Sequence, residues 1–192
     1  ENAPSSFINL EGGCFFEPNL YNPHFWTERE AKPEKQEELR EAYKELTDEY
    51  GNHRPFYALL LMDGDSMGAL LKELQRPELL SQALANFTGK VAKTVNRNNG
   101  VTVYAGGDDV LALLPIDSAL KVAVELKQIY EKSFQDVVDD KKKVGKATIS
   151  AAIVYAHYRA PLQGVLSHAH HLLDDIAKDK TGRNSLATSV WK

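Results

Sequence analysis

The stretch Val101-Thr-Val-Tyr-Ala-Gly-Gly-Asp-Asp-Val-Leu-Ala-Leu-Leu114 decides how this chain folds. Its two halves, Val101–Ala105 and Val110–Leu114, are rich in β-branched and apolar residues, which is typical of strands. The Gly106-Gly-Asp-Asp109 segment between them has the residue types that tight hairpin turns need. The stretch therefore predicts a β-hairpin that carries two carboxylates at its tip.

A second acidic cluster follows another apolar run. Tyr57-Ala-Leu-Leu-Leu-Met62 is typical of a buried strand, and Asp63-Gly-Asp65 comes directly after it. If this strand and the hairpin are neighbours, Asp63 lies beside Asp108 and Asp109. Crowded carboxylates repel one another unless a cation neutralises them. Each motif alone is also a good turn sequence, and only their combination indicates a metal site.

The residues next to the acidic clusters are suited to bind a nucleotide. Gly64 and Gly68 allow the backbone to approach triphosphate oxygens, and Gly106 and Gly107 keep the hairpin tip free of side chains where a base or sugar must pass. Mg²⁺ takes oxygen ligands and usually keeps substrate phosphates in its shell. Backbone amides at a predicted helix start can bind anions. These amides belong to Asp65, Ser66, Met67 and Gly68.

The composition excludes several other function classes. Hydrophobic residues make up 43% and charged residues 26% of the 192 residues, as in globular proteins. The longest apolar runs are strand-sized, so no membrane partner is expected. Glu1 is not an initiator Met and no signal peptide pattern follows it, which predicts a fragment or processed product of a cytoplasmic protein. The single Cys14 excludes an internal disulfide. A net charge of −4 argues against nucleic-acid binding through a basic surface.

The pattern along the chain predicts two segments. Residues 1–55 combine an irregular part with a charged helix over 33–49 that starts at Pro33, and we expect an N-terminal appendage. Residues 56–192 contain the elements β-α-α-β-β-α-β-α-β. The predicted strands are 56–63, the 101–114 hairpin, 147–155 and 185–191, and the helices are 66–75, 77–96, 115–137 and 161–177. The core of this order is the split βαβ, ferredoxin-like arrangement, so the predicted class is α/β, of the α+β type.

Four segments occur in the same order in a known family. They are Leu61-Met-Asp-Gly-Asp-Ser-Met-Gly68, Tyr104-Ala-Gly-Gly-Asp-Asp-Val110, Ser150-Ala-Ala-Ile-Val-Tyr-Ala-His-Tyr-Arg-Ala-Pro-Leu162 and Ala177-Lys-Asp-Lys-Thr-Gly-Arg-Asn184. Over about residues 56–192 the chain resembles the cyclase-like palm domain of the large, polymerase-like subunit of type III CRISPR effector complexes, particularly the Cmr type (III-B). GGDEF diguanylate cyclases share this nucleotidyl cyclase-like palm fold, but the Glu-Phe ending of their hairpin motif is absent here.

The resemblance implies an activity and a cofactor. In that family the palm converts ATP to cyclic oligoadenylates when the complex binds target RNA. The implied mechanism is nucleotidyl transfer at a two-metal site with Mg²⁺ or Mn²⁺. Carried onto this chain, Asp63, Asp108 and Asp109 are the catalytic carboxylates. They are also the metal ligands, together with the Gly64 carbonyl.

The last matching segment contains three basic residues, Lys178, Lys180 and Arg183. On the residues alone, Lys178 complements the dipole at a helix end and Gly182 marks an exit turn. The resemblance implies instead that Lys178 reaches the triphosphate, and it gives Arg183 a similar role. Ser66 is either an ordinary residue at a helix start or a nucleotide contact.

The resemblance also implies partners. These are other CRISPR effector subunits, guide RNA and target RNA bound through the complex, and a second palm domain, in cis or in trans, that completes the active site. Two alternatives stay open on the sequence. One is a GGDEF-like cyclase that uses GTP, and the other is a catalytically silent palm that acts as a scaffold in a ribonucleoprotein.

Overall fold

The computed structural model describes residues 17–30, 32–52 and 54–192, which fall into two compact units divided between Arg54 and Pro55. The first unit contains α1 (Glu17–Leu20), α2 (Pro23–Thr27) and α3 (Pro33–Tyr50). The predicted charged helix is confirmed as α3. The preceding segment, predicted to be irregular, contains two short helices in its described part. Residues 1–16 lie outside the described residues.

A small apolar cluster holds the first unit together. Leu20, Phe25 and Trp26 are buried, and Leu39 and Tyr43 of α3 pack against them. The Trp26 indole N–H donates to the Leu20 carbonyl over 3.0 Å. Tertiary packing of this kind supports helices as short as α1 and α2. A local signal adds to it in α2, because the Asn22 side chain accepts from the His24 N–H over 3.0 Å and Pro23 begins the helix.

The second unit is a five-stranded sheet with helices on both faces. Its elements are β1 (Phe56–Gly64), α4 (Met67–Leu74), α5 (Pro77–Arg97), β2 (Val101–Gly106), β3 (Asp109–Leu114), α6 (Ala119–Gln135), α7 (Lys141–Val144), β4 (Ile149–His157), α8 (Leu162–His171), a π-helical segment (Leu172–Lys180) and β5 (Leu186–Val190). The sheet order is β2-β3-β1-β4-β5, and only β4 and β5 pair in parallel. The first four strands form the predicted ferredoxin-like arrangement, and the α+β class is confirmed.

The central strand β1 is buried on both faces. Leu60 and Met62 belong to the core beneath α5 and α6, whereas Leu59 and Leu61 belong to the core beneath α8. Two-sided burial explains why residues 57–62 form a continuous apolar run rather than an alternating one. Because both faces are packed, β1 is a rigid support for whatever lies at its C-terminal end.

The start of α6 and the lysine-rich loop differ from the prediction. The helix begins at Ala119 rather than at Pro115, because the Ser118 hydroxyl donates to the Pro115 carbonyl over 3.2 Å and closes a turn. The lysine-rich loop contains the short helix α7. In the part of the chain that the structure describes, no helix is both long and apolar enough to cross a membrane.

The helix after β4 also ends later than predicted. It was expected to end near Ala177, but it continues to Lys180 as the π-helical segment. The Thr181 N–H donates over 3.0 Å to the Ile176 carbonyl, five residues earlier, which is the π-helical spacing. Such segments are frequent at functional sites, and Lys178 lies on this one.

Two leucines of α6 provide a matched test of the core. Leu126 is fully buried, whereas 52% of Leu120 is exposed. We predict that Leu126→Ala lowers the free energy of unfolding by about 2–5 kcal/mol, because it leaves a cavity between helix and sheet. Leu120→Ala should change it by less than about 0.5 kcal/mol. Urea denaturation measures both, and equal effects of the two substitutions would contradict the packing of α6.

Candidate active site

The hairpin tip and the end of β1 meet at one edge of the sheet. Strands β1 and β3 are antiparallel with Met62 opposite Val110, so Asp63 follows directly beside Asp109. The Asp109 carboxyl is close enough to Asp63 for the two groups to interact directly. Asp108 lies in the two-residue turn between β2 and β3. It is close enough to Asp63 for the Asp63 charge to raise its pKa. The predicted meeting of the three carboxylates is confirmed.

Close packing explains the glycine between the two aspartates of the Asp-Gly-Asp motif. A Cβ at Gly64 would lie 2.6 Å from Asp108 Oδ2 and 2.9 Å from the Tyr130 hydroxyl. Neither distance leaves room for a methyl group. Tyr130 is fully buried, and its hydroxyl donates to the Met67 sulfur over 3.3 Å. Gly64 therefore lets the Asp108 carboxylate lie against the backbone of β1.

The carboxylates at this edge repel one another. Burial, and secondarily the charge of Asp63, raises the pKa of Asp108. The direct interaction with Asp63, together with burial and the charges of Asp63 and Asp108, raises the pKa of Asp109 to about 7. The Asp109 carboxyl is therefore largely protonated at slightly acidic pH. A bound cation would relieve the same repulsion.

Lys178 brings a positive charge to this cluster. Its ammonium group forms an ion pair with Asp63 and lies 3.6 Å from an Asp174 carboxylate oxygen, and only 15% of its side chain is exposed. Burial by itself lowers the pKa of Lys178, but the bond to Asp63 and the charges of nearby aspartates outweigh it, so the pKa is raised. Lys178 is therefore a permanent cation beside the carboxylates.

The donor set of the cluster fits a divalent cation that shares its shell with another ligand. Carboxylate oxygens of Asp63, Asp108 and Asp109 and the Gly64 carbonyl are the hard donors that Mg²⁺ prefers. Within residues 17–30, 32–52 and 54–192, no three His, Cys, Asp or Glu side chains are grouped so as to hold a metal by themselves. Mg²⁺ usually takes one or two carboxylates and completes its shell with waters and phosphates. The arrangement thus suits a metal that arrives with a phosphate ligand.

An open cleft of about 390 Å³ lies beside the cluster. Asp63, Asp109 and Lys178 line its polar end, and its size falls in the range of small-molecule sites. Two further lining residues, Tyr104 and Asp174, were absent from the sequence prediction. Their sequence positions could have predicted this. Tyr104 lies two residues before the Gly-Gly-Asp-Asp turn, and Asp174 lies one helical turn before Lys178. The apolar wall is formed by Leu61, Leu111, Leu166 and Leu173.

The two hairpin glycines differ in their surroundings. A Cβ at Gly106 would lie 2.4 Å from the Tyr104 hydroxyl, so the Tyr104 side chain lies against this glycine. The expectation that Gly106 keeps the tip free of side chains is therefore wrong, because the missing side chain accommodates Tyr104 instead. Gly107 has a φ of 63° and nothing near its Cβ position, so it does leave open space.

Asp65, Ser66 and Arg183 lie at a second groove, of about 380 Å³, rather than in the cleft with Lys178. Ser66 and Arg183 are exposed there, whereas Asp65 is buried and bonded within the protein. The Asp65 amide donates to the Thr148 carbonyl over 2.9 Å, so it is not available for an anion as predicted. The amides of Ser66, Met67 and Gly68 lie where α4 begins, as predicted.

Comparison with known sequences identifies the family. The model of the family "Cas10/Cmr2, second palm domain" matches residues 56–187. The chain belongs to this family. The match begins at the first residue of β1 and ends within β5, so it covers the sheet and all the residues of the acidic cluster.

Two curated relatives of this Cas10/Cmr2 palm domain are CRISPR system Cmr2 subunits. The one from Pyrococcus furiosus is 35% identical over 182 residues, which cover 80% of this chain and 20% of the relative. The one from Saccharolobus solfataricus is 29% identical over 98 residues, which cover 42% of this chain and 9% of the relative. The chain therefore spans about one fifth of the length of the Pyrococcus protein.

Solved structures share the palm fold. A Csm1–Csm4 cassette in complex with cA4 matches with a TM-score of 0.53 and 20% identity, over 71% of this chain and 21% of that chain. The same cassette with one ATP matches with a TM-score of 0.51 and 21% identity, over 68% and 20%. The apo state of a type III-B Cmr-β complex matches with a TM-score of 0.52 and 16% identity, over 71% and 25%. At identities of 16% to 21%, the similarity to these structures shows a shared fold.

Two glycines near the cluster make a matched pair. We predict that Gly64→Ala destabilises the protein and displaces Asp108, because the added methyl group overlaps the carboxylate. Gly68→Ala should instead stabilise it by about 0.5–1 kcal/mol, because Gly68 lies in α4 with open space around it. Chemical denaturation compares the two variants. A stable Gly64→Ala protein would contradict the close contact with Asp108.

The raised pKa of Asp109 predicts a pH dependence of stability. A carboxyl whose pKa is raised on folding contributes stability below its unfolded pKa, near 4, and this contribution is lost as the pH rises through about 7. In the absence of metal, Asp109→Asn should therefore increase the melting temperature more at pH 8 than at pH 5. Thermal unfolding in EDTA measures this, with the exposed Asp136→Asn as control. An equal effect at both pH values would contradict the raised pKa of Asp109.

Proposed function

We propose that this palm domain is a nucleotidyltransferase centre of a type III CRISPR large subunit, which makes cyclic oligoadenylates from ATP with Mg²⁺ or Mn²⁺ in antiviral defence. The proposal is carried by one observation: Asp63, Asp109 and Lys178 line one open cleft, and Asp108 lies beside Asp63. Two further facts support it. Curated relatives are Cmr2 subunits, and a Csm1–Csm4 cassette of the same fold has been solved with ATP and with cA4.

The reaction would join nucleotides through their phosphates. A 3′-oxygen attacks the α-phosphorus of ATP, the bond to pyrophosphate breaks, and the hydroxyl proton is released. Divalent ions, when bound, would lower the pKa of the attacking hydroxyl and neutralise charge on the α-phosphate and pyrophosphate. Asp63 and Asp108 would hold them, assisted by Asp109 and the Gly64 carbonyl. The task of these residues is positioning and charge neutralisation.

Lys178 would bind the triphosphate. In the structure its partner is Asp63, and it can exchange that partner for a phosphate oxygen once a cation neutralises Asp63. Because the Lys178 pKa is raised, its charge is present over the whole physiological pH range. The amides of Ser66, Met67 and Gly68, the open turn at Gly107, and Arg183 are further proposed nucleotide contacts.

The proposal includes partners outside this chain. A second palm domain, in cis or in trans, would face the cleft and complete the active site. The chain would assemble with other effector subunits, and guide RNA and target RNA would bind through that complex. Binding of target RNA would start synthesis. They remain proposals because the chain spans only 20% of its Pyrococcus relative.

Removal of two carboxylates tests the metal and nucleotide site. We predict that Asp108→Asn combined with Asp109→Asn weakens Mn²⁺-dependent ATP binding at least about tenfold, because the donors for the ion are lost while the fold remains. Isothermal calorimetry measures the affinity. A charge-matched control, Asp136→Asn with Asp139→Asn, changes two exposed aspartates of the loop after α6 and should bind ATP normally. Unchanged affinity in the first variant would refute the proposed site.

Product analysis separates the proposed activity from its alternatives. With the second palm and target RNA supplied, mass spectrometry should find cyclic oligoadenylates from ATP and no cyclic product from GTP. A cyclic product from GTP alone would favour the GGDEF-like alternative. Binding of ATP without any product under these conditions would favour the scaffold alternative.

A further inference from the structure

Asp65 is a buried carboxylate outside the acidic cluster. Only 2% of it is exposed, and a carboxylate is rarely so buried unless its oxygens are bonded. The Ser150 hydroxyl donates to Oδ1 over 2.7 Å, and the Thr148 hydroxyl donates to Oδ2 over 2.8 Å. The backbone N–H of Asn184 also donates to Oδ2, over 2.9 Å. The donors come from two segments that are distant in the chain, the start of β4 and the turn before β5.

At the start of β4, Asp65 fixes the loop that follows Asp63. Its own N–H donates to the Thr148 carbonyl, and its carboxylate accepts from the hydroxyls of Thr148 and Ser150. Ser150 is also the β4 residue opposite Asp63 in the sheet. The backbone two residues beyond Asp63 is therefore held in place against β4.

At the other end, Asp65 holds a strained turn. Gly182, Arg183 and Asn184 have φ angles of 85°, 72° and 50°. Consecutive left-handed residues with a Cβ are unfavourable and need support from their surroundings. The bond from the Asn184 N–H to Asp65 provides it. This turn follows Thr181 at the end of the π-helical segment that carries Lys178, and the Arg183 N–H donates to the Ala177 carbonyl of that segment over 3.2 Å. The turn is therefore bonded to the end of the segment.

The Asp-Gly-Asp motif thus holds the Lys178 segment at two points. Asp63 binds the Lys178 ammonium, and Asp65 binds the backbone of the turn that follows it. We infer that Asp65 is a positioning residue that keeps Lys178 at the carboxylate cluster, and that it does not itself contact the nucleotide or the metal. The consequence for ATP rests on the proposed function, but the position of Lys178 can be tested without nucleotide.

Two substitutions at one position separate positioning from charge. Asp65→Ala removes every acceptor and leaves the Asn184 N–H without its partner. In Asp65→Asn, the amide oxygen can accept the bonds from Thr148 and Asn184, and the amide NH₂ can donate to the Ser150 hydroxyl. The second variant therefore keeps the hydrogen bonds and loses only the charge. A residue that contacted a metal would not tolerate this exchange.

The first experiment follows Lys178 in the nucleotide-free protein. Acetylation by a limiting reagent, read by peptide mass spectrometry, reports how accessible each lysine is. Asp65→Ala should speed acetylation of Lys178 at least about threefold, because local opening exposes it, whereas Asp65→Asn should stay within about twofold of wild type. The exposed Lys180 is the internal control and should not change. Protection of Lys178 in the folded Asp65→Ala variant would overturn the inference.

The second experiment measures ATP affinity with Mn²⁺ in a double-mutant cycle. Asp65→Ala should weaken binding about tenfold in the wild-type background, as removal of supporting hydrogen bonds typically does. It should weaken binding less than about twofold when Lys178→Met is already present, because both changes remove the same contact. Equal losses in both backgrounds would overturn the inference. So would an Asp65→Asn variant that binds ATP as weakly as Asp65→Ala.

The two experiments distinguish this inference from the proposed function. A wild-type protein that binds no ATP refutes the proposed function, and the acetylation result still decides whether Asp65 positions Lys178. If Asp65→Ala does not fold, Thr148→Val removes one of the three donors with little change of shape. It should then raise the acetylation of Lys178 in the same direction, and an unchanged rate in this variant would refute the inference.

Discussion

Electrostatic repulsion among three carboxylates is the constraint on which the functional edge of this protein depends. Asp63, Asp108 and Asp109 come together where β1 and the β2–β3 hairpin end. Burial and then the Asp63 charge raise the pKa of Asp108, and the interaction with Asp63, burial and the neighbouring charges raise the pKa of Asp109. Asp63 itself forms an ion pair with Lys178. Such a cluster is costly unless a cation or a proton neutralises it. The chain tolerates it because the surrounding sheet is rigid and the cleft beside it is open.

The rigidity comes from the burial of β1. Its two faces belong to two separate hydrophobic cores, and a shift of one residue would exchange them. The register with β3, in which Met62 lies opposite Val110, places Asp63 beside Asp109. A site built on such strands is held more precisely than one built on loops, as charge stabilisation in phosphoryl transfer requires. Lys178, which also lines the cleft, lies at the end of a helix rather than on a strand. Its position therefore depends on further contacts, with Asp63 and through Asp65.

Most of the palm fold could be predicted, because its elements are long and strongly patterned. The strands and long helices of the palm, the charged helix α3 and the pairing of the first strand with the hairpin follow from apolar periodicity, turn residues and the split βαβ order. The elements that were missed are short or irregular: α1, α2, α7 and the π-helical segment. The residues of α1 and α2, for example, pack against Leu39 and Tyr43 of α3. Local patterns carry no such information.

The sequence by itself determined the order of elements, the two acidic motifs and the family. Only the tertiary structure showed that residues of one acidic motif have different roles. Asp63 and Asp65 are two residues apart, yet Asp63 pairs with Lys178 at the open cleft and Asp65 is buried among hydrogen-bond donors. Their partners lie 83 to 119 residues away in the chain. Folding brings such distant groups together, so the role of each aspartate depends on contacts that no local pattern contains.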